Sequence, residues 1–495
     1  MLFNSFEFIL LFLPIVTLVY YLLNRKKLTI ASKAWLVLSS LFFYSWWNIS
    51  YLPLILLSIL VNYGIGLALG RNYPATKRKA IVTVGILFNL GMLGYYKYTD
   101  FLISNANALL RTDIALLNLG LPLAISFYTF QQIAFIVDCY RKETRERDLL
   151  NYFLFITFFP QLIVGPIVYH KDMMSQFMAL RSKLVSYKNQ AMGMFVFSIG
   201  LFKKVVLADT FATWATEGFD KLESLSFIEA WITSLSYTFQ IYFDFSGYMD
   251  MAMGAALLFN IKLPINFNSP YKSLNIQQTW HSWHVTLSQF LNRYVFAPLN
   301  RFLLDRVFSP LGLKSKVTLR ISIGLLVLFL LSGLWHGAGW NFVLFGLLHG
   351  VSMIIYRCWK LTRIRMNKFL AWFINFNLIN FSFVLFRASS MEDVVKVLKG
   401  MLGLSGIVLP AKLAELLPEL TRIQAFTFAE GALNDATGAV QYILIGFILV
   451  LCFKNSNQLL DKFKPAWYTF VFTCILFLYA LLNLTKVNEF VYFNF

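Results

Sequence analysis

Apolar stretches of about 20 residues recur along the whole chain, divided by short polar segments rich in Lys and Arg, as in helices that cross a bilayer. The first runs from Phe6 to Leu23 and stops at Arg25, Lys26 and Lys27. No basic segment precedes it, so it reads as a retained span rather than a cleaved leader. Spans of this kind number about ten to twelve. Two stretches break the pattern. In FFPQLIVGPIV, Phe158 to Val168, Pro160, Gly165 and Pro166 interrupt any helix. Backbone groups freed at membrane depth must then face protein or a water-filled cavity, which predicts a re-entrant or broken helix. The block from Leu263 to Leu299 is too polar for a lipid-facing span, yet rich in Trp, Phe and Tyr.

Composition agrees with the pattern. Charged residues make up 14% of the 495, against about 25% in soluble domains. The expected fold is an all-α polytopic membrane protein, one domain over residues 1–495, with broken or re-entrant helices around a central tunnel.

The net charge of +19 changes the picture in one respect: it gives the helices a direction. Basic clusters fall at Arg25–Lys33, Arg71–Lys79 and Arg141–Arg147, successive clusters being two apolar runs apart. Basic loops favour the cytoplasmic side, so the N-terminus is expected outside. Lys314, Lys316 and Arg320, then Arg357, Lys360, Arg363, Arg365 and Lys368, and finally Lys454, Lys462 and Lys464 mark further inside loops. No basic-aromatic strand pattern accompanies the charge, which argues against nucleic acid. Between Phe386 and Val440 polarity is mixed, with Glu392, Asp393, Glu415, Glu419, Glu430 and Asp435 against Lys396, Lys399, Lys412 and Arg422. Residues 387–437 are expected to form an extracytoplasmic insert with one or two short helices. Cys139, Cys358, Cys452 and Cys474 are scattered and form no CxxC pair, so neither a zinc site nor a disulfide framework is expected.

An ionisable side chain inside a membrane is costly and is a functional candidate by default. The chain has five histidines: His170, His281, His284, His336 and His349. His336 sits in SGLWHGAGW, about 30 Å along a helix starting near Lys316, with Gly333, Gly337 and Gly339 allowing close approach. Trp335 and Trp340 can line a pocket there. The competing reading is a helix-end histidine at headgroup level. In TWHSWHVTLSQFLNR, His281 and His284 are three apart and share a face if the segment is helical. No Asp or Glu is near and Trp280 and Trp283 crowd them, so no metal site is expected. His349 reads as a hydrogen-bonding structural residue and His170 as interfacial. In YFDFSGYMDMAMG, Asp244 and Asp250 need partners, for which Arg293 or Lys272 can serve. They form either a wall of a reaction chamber or a polar packing network.

Taken together, LPLAISFYTFQQIAFIVDCYRK, FFPQLIVGPIV, YFDFSGYMDMAMG, NFNSPY, WHVTLSQFLNRYVFAPL, LSGLWHGAGWNFVLFGLLHG, VLFRA and the closing FVYFNF resemble the membrane-bound O-acyltransferase family, in its bacterial alginate O-acetyltransferase branch. The resemblance puts the family's histidine of the Trp-His-Gly stretch on His336 and a second functional histidine on His284. Ser282 stands where that branch usually has Arg, and His281 is an added imidazole. What the resemblance implies is transfer of acetyl from cytoplasmic acetyl-CoA, without a bound cofactor, to a hydroxyl of an exported polysaccharide such as alginate, through an extracytoplasmic partner that the 387–437 insert helps dock. It places the protein in the bacterial inner membrane. A hydroxyl is a weak nucleophile until a base removes its proton, and a neutral imidazole near its ordinary pKa of about 6.5 suits that task. His336 is expected as base and His284 as the orienting or charge-stabilising group, with an acyl-histidine intermediate left open. Trp283, Trp335, His281, Asp250, Asp244, Arg293 and Pro166 are expected to bind substrate or line the tunnel. Two alternatives are a D-alanyl transferase for teichoic acid, of the same fold, and a transporter; the missing inverted repeat weighs against the latter.

Overall fold

The computed structural model describes residues 1–312, 315–409, 426–428 and 431–484. Lys314, FVYFNF and, from the insert, Lys412, Glu415, Glu419, Arg422 and Glu430 lie outside the described residues.

The chain opens with a π-helical turn, Glu7–Phe12, running into α1 (Leu13–Arg25), followed by α2 (Thr29–Ser45), α3 (Leu52–Leu69), α4 (Ala75–Leu110) and α5 (Ile125–Tyr140). The short α6 (Leu149–Thr157), α7 (Phe159–Leu162) and α8 (His170–Met178) come next. The paired helices α9 (Tyr187–Phe202) and α10 (Asp209–Thr216) are joined by a π-helical stretch, Lys203–Ala208, and lead to the long α11 (Phe227–Leu258). The aromatic block holds α12 (Ile276–Ser282), α13 (Val285–Leu291) and α14 (Ala297–Leu303). Then follow α15 (Val317–His336), α16 (Trp340–Thr362), α17 (Lys368–Arg387) and α18 (Met391–Met401). A short parallel pair, β1 (Ile407–Leu409) with β2 (Phe426–Phe428), precedes α19 (Ala436–Cys452), α20 (Ser456–Asp461) and α21 (Trp467–Leu482).

Among the described residues seven helices are long and apolar enough to cross a bilayer, and α19 and α21 are shorter apolar helices. Hydrogen bonds between residues near the helix ends sort these ends into two faces. At the basic face Arg78 Nη2 donates to Tyr140 O (2.6 Å), Lys33 Nζ to Asn151 Oδ1 (2.8 Å) and Tyr21 OH to Leu258 O (2.7 Å). At the opposite face Tyr44 OH donates to Leu123 O (2.9 Å), Trp340 Nε1 to Asn105 Oδ1 (3.0 Å) and Trp231 Nε1 to Met401 O (3.2 Å). There Glu229 also accepts from the N–H groups of Ala432 (2.6 Å) and Leu433 (3.2 Å), binding the insert to the start of α11. α18 falls within residues 387–437. The β pair was not foreseen, because strands of three residues are too short to show a period.

FFPQLIVGPIV is re-entrant. Asp148 caps α6 through Leu150 N (2.9 Å), and the helix stops at Phe158, just before Pro160. The freed backbone is satisfied by protein: Phe159 N donates to Ser40 Oγ (3.0 Å) and Ile167 N to Thr286 Oγ1 (3.1 Å). The chain then returns to the face it left. His170, buried at the start of α8, lies with Nε2 3.1 Å from Glu146 Oε2 and Nδ1 2.9 Å from Thr144 Oγ1. The aromatic block makes a second excursion from this face. It starts at Asn260, which donates to Leu184 O (2.6 Å), and ends at Arg293, paired with Asp138 (3.2 Å) and Glu143. In between, Tyr271 OH reaches Thr238 O, well inside α11 (2.5 Å).

The partners expected for Asp244 and Asp250 are corrected. Arg293 is taken up by Asp138 and Glu143, and Lys272 Nζ donates to Phe453 O (2.7 Å). The π-helical stretch after α9 supplies the cations instead: Lys204 pairs with Asp244 (2.7 Å) and Asp209 (2.9 Å), and Lys203 with Asp250 (2.7 Å). Ser456 Oγ adds a bond to Asp250 (2.7 Å). The two carboxylates are therefore packing links between α11 and the α9–α10 helix. Beside them the helices touch backbone to backbone: a Cβ on Gly254 would lie 2.7 Å from Gly193 O, and one on Gly193 2.8 Å from Gly254 O.

Candidate active site

His336 is the last residue of α15, where the helix meets the tight turn into α16. The hairpin closes on glycine: a Cβ on Gly333 would meet Gly346 Cα at 3.0 Å, and Gly337 faces the Phe342 ring. His336 is only 3% exposed, among Trp335 (centroids 4.8 Å), Phe386 (5.0 Å) and Phe345 (5.8 Å). Two groups from α4 reach this helix end. Lys97 Nζ donates to the carbonyls of Trp335 (2.5 Å) and His336 (3.1 Å), and Tyr98 OH donates to Leu334 O (2.8 Å). Lys97 was not singled out from sequence. Its only signal there is a cation inside a long apolar run, the cue that was applied to histidines.

His284 and His281 do not share a helical face. The helix breaks between them, with α12 ending at Ser282 and α13 beginning at Val285. His284 takes the left-handed conformation (φ +46), which costs a residue with a Cβ about 1–3 kcal/mol and so must be held in place. NFNSPY does the holding: Asn268 N donates to Ser282 O (2.9 Å) and Val285 N to Asn266 O (3.0 Å). The result turns His284 into the protein, fully buried, and leaves His281 exposed on α12. The His284 ring packs on Phe245 (4.9 Å) and Trp335 (6.1 Å), and Nδ1 lies 3.2 Å from Asn266 Oδ1.

Trp335 thus touches both His284 and His336, and these three rings form one cluster. His349 joins it through Phe345, 4.5 Å away, and accepts from Trp280 Nε1 (3.3 Å) as a hydrogen-bonding residue should. Trp283 is packed apart from them, against Phe267 (5.0 Å) and Phe383 (5.2 Å). Pro166 is buried in the re-entrant turn, and Arg293 sits at the basic face. Among the described residues no three His, Cys, Asp or Glu side chains gather as metal ligands would.

A cavity of about 650 Å³, a size ordinary for small-molecule sites, lies between α12–α13 and α15–α16. Arg357 and Lys360 stand at its basic-face end, with His281 and Gln277 on one wall. Trp280, Phe329 and Ser332 line it further in, and Ser332 is one helical turn before His336. The histidine cluster lies behind this inner wall: Trp280 faces the cavity and is bonded to His349. The cavity lining includes none of His284, His336 and His349.

Comparison with known proteins bears on this arrangement. Residues 140–392, just over half of the chain, match the family model of MBOAT, the membrane-bound O-acyltransferase family. The chain is 44% identical to a peptidoglycan O-acetyltransferase of Helicobacter pylori, over 100% of this chain and 98% of the relative. It is 33% identical to a probable alginate O-acetylase of Pseudomonas putida, over 94% and 90%. A teichoic acid D-alanyltransferase of Streptococcus thermophilus is 28% identical, over 53% and 68%. A family match across both re-entrant excursions and the two histidines at their inner end, joined to whole-length similarity, makes this multi-pass membrane protein an acyltransferase belonging to the membrane-bound O-acyltransferase family.

Proposed function

We propose that the chain carries acetyl from acetyl-CoA at the cytoplasmic face to a sugar hydroxyl of exported peptidoglycan. The reading of the acceptor differs from the alginate-like one that motifs suggest. It is supported by the 44% identity over the full length to the peptidoglycan relative, against 33% for the alginate relative. The basic face is cytoplasmic in this reading, the N-terminus is outside, and the membrane is the inner membrane of a bacterium.

The observation that carries the chemistry is the cavity that runs from Arg357 and Lys360 to Ser332, one turn short of His336. Nucleotide phosphates sit with the two cations, and the pantetheine arm lies along the apolar wall of Leu325, Leu328 and Phe329. His336 takes the proton of the attacking hydroxyl. The oxygen adds to the thioester carbon, the carbon–sulfur bond breaks, and the thiolate leaves with a proton. His284, one tryptophan ring away, orients the hydroxyl-bearing group, accepting at Nε2. An extracytoplasmic acetyltransferase partner, docked on residues 387–437, presents the glycan hydroxyl to this thioester.

The test is transfer in proteoliposomes holding the full chain, with acetyl-labelled CoA outside and peptidoglycan fragments or alginate oligomers inside. Label in the peptidoglycan fragments supports the proposal. Label in alginate alone overturns the acceptor, and transfer only from a D-alanyl carrier protein overturns the donor.

A further inference from the structure

An α-helix leaves its last four carbonyls without partners of its own, and at membrane depth water is not there to take their place. α15 ends on the residue that matters most, and Gly337 after it is extended (φ −162, ψ 155), so no left-handed cap closes the helix. Each of the last four carbonyls nevertheless has a donor. Gly333 O accepts from Gly337 N (3.4 Å), Leu334 O from Tyr98 OH (2.8 Å), and Trp335 O and His336 O from Lys97 Nζ (2.5 and 3.1 Å). Three of the four carbonyls are therefore served by two side chains of α4, a helix more than two hundred residues away in sequence.

Lys97 is suited to this place for three reasons. Its ammonium carries several donors on a long stem, so one side chain serves two carbonyls. Its positive charge faces the negative end of the α15 dipole. It also lies over the Trp335 ring, 5.9 Å from its centroid, so it holds both the main chain and the aromatic group between His284 and His336.

We infer that Lys97, with Tyr98, is a positioning residue for the acyl-transfer reaction, setting where the His336 ring stands by capping in trans the helix that ends on it. The inference rests on the reading of His336 as the base. Lys97 makes no bond to the reacting atoms in this role. It fixes the end of α15, and a helix end that frays moves the imidazole away from the hydroxyl it serves.

The experiment uses full-length Lys97→Met, Lys97→Arg and Tyr98→Phe in proteoliposomes. Lys97→Met should lower kcat about 10–100-fold with KM for acetyl-CoA unchanged, because geometry and not donor binding is lost. Lys97→Arg, which keeps charge and donors, should recover most of it, and Tyr98→Phe should fall between. Hydrogen exchange of the amides of residues 333–337 should quicken in Lys97→Met. If Lys97→Met does not insert, Lys97→Gln, which keeps a donor but no charge, gives the same two readings. Unchanged kcat and unchanged exchange overturn the inference, as does a loss confined to KM. A loss of kcat with exchange unaltered also overturns it, since Lys97 would then act on substrate directly. The exchange measurement stands even if the unaltered protein transfers no acetyl, a result that would sink the proposed function instead.

Discussion

Asn266 Oδ1 lies 3.2 Å from Nδ1 of His284 and accepts as well from Thr286 N (3.1 Å) and Thr286 Oγ1 (2.9 Å). A backbone N–H can only donate, so the atom facing Thr286 is the amide oxygen. His284 Nδ1 must then carry a hydrogen, and in the neutral ring Nε2 is the nitrogen with the lone pair. Asn266→Ala should lower kcat about 10–100-fold, as loss of an orienting partner does at other imidazoles. It should also destabilise the protein by about 1–3 kcal/mol, because Thr286 N–H loses its acceptor while buried. Steady-state rates and thermal unfolding in detergent measure the two effects.

His336→Ala should cost about 10²–10⁴-fold in transfer, the worth of a general base, with insertion and unfolding temperature unchanged. His284→Ala should be severe and His281→Ala mild, since His281 is exposed on the cavity wall and His284 is buried against Trp335. A more damaging His281→Ala would move the chemistry to the cavity side of Trp280.

Trp280 separates the cavity from His349 and Phe345. Trp280→Ala should let water reach the cluster, so that acetyl-CoA hydrolysis without acceptor rises relative to transfer. Counting free acetate against acetylated glycan gives the ratio directly, and an unchanged ratio would mean that this wall does not exclude water.

Asp250→Ala would leave the Lys203 ammonium buried without its carboxylate, at a cost of about 3–5 kcal/mol. Lys203→Met with Asp250→Leu should recover most of that stability, since two apolar chains of similar size leave no charge behind. Thermal unfolding of the single and double variants is the comparison, and activity should follow the folded fraction.

Glu146 stands in the loop between α5 and α6, at the mouth of the re-entrant turn. Burial pushes its carboxyl up, but hydrogen bonds from His170 and from the N–H groups of Asp148 and Arg147 outweigh this and hold it below its ordinary value. A carboxyl depressed in the folded state gives stability above its unfolded pKa, of about 4.3, and loses it as pH falls through the folded value. Proteolysis in the α5–α6 loop should therefore quicken on acidification below about pH 4, and Glu146→Gln should lose that dependence. Equal pH profiles for the two proteins would remove the carboxylate from the account.

How much of this was legible in sequence follows from what each feature needs. Runs of apolar residues show membrane helices because length and hydropathy are local, and Pro160 with Gly165 and Pro166 showed the re-entrant turn for the same reason. His336 and His284 stood out as rare titratable groups in apolar surroundings. The pairing of Asp244 and Asp250 was misread because proximity in three dimensions decides it: Lys203 and Lys204 come round through a π-helical stretch, and one extra residue per turn changes which side chains face inward. The shared face of His281 and His284 failed on one left-handed residue, which periodicity cannot show. Lys97 was overlooked because its partners are main-chain oxygens, and these carry no sequence signal.

The glycine contacts between α9 and α11, and those that close α15 on α16, leave no space for even one methyl group. Two such seams behave as welded joints. Neither helix pair can slide without parting main chain from main chain, so each moves as one body. Drift of the lipid-facing helices around these pairs then leaves the end of α15, and the ring it carries, where the seam with α16 puts it.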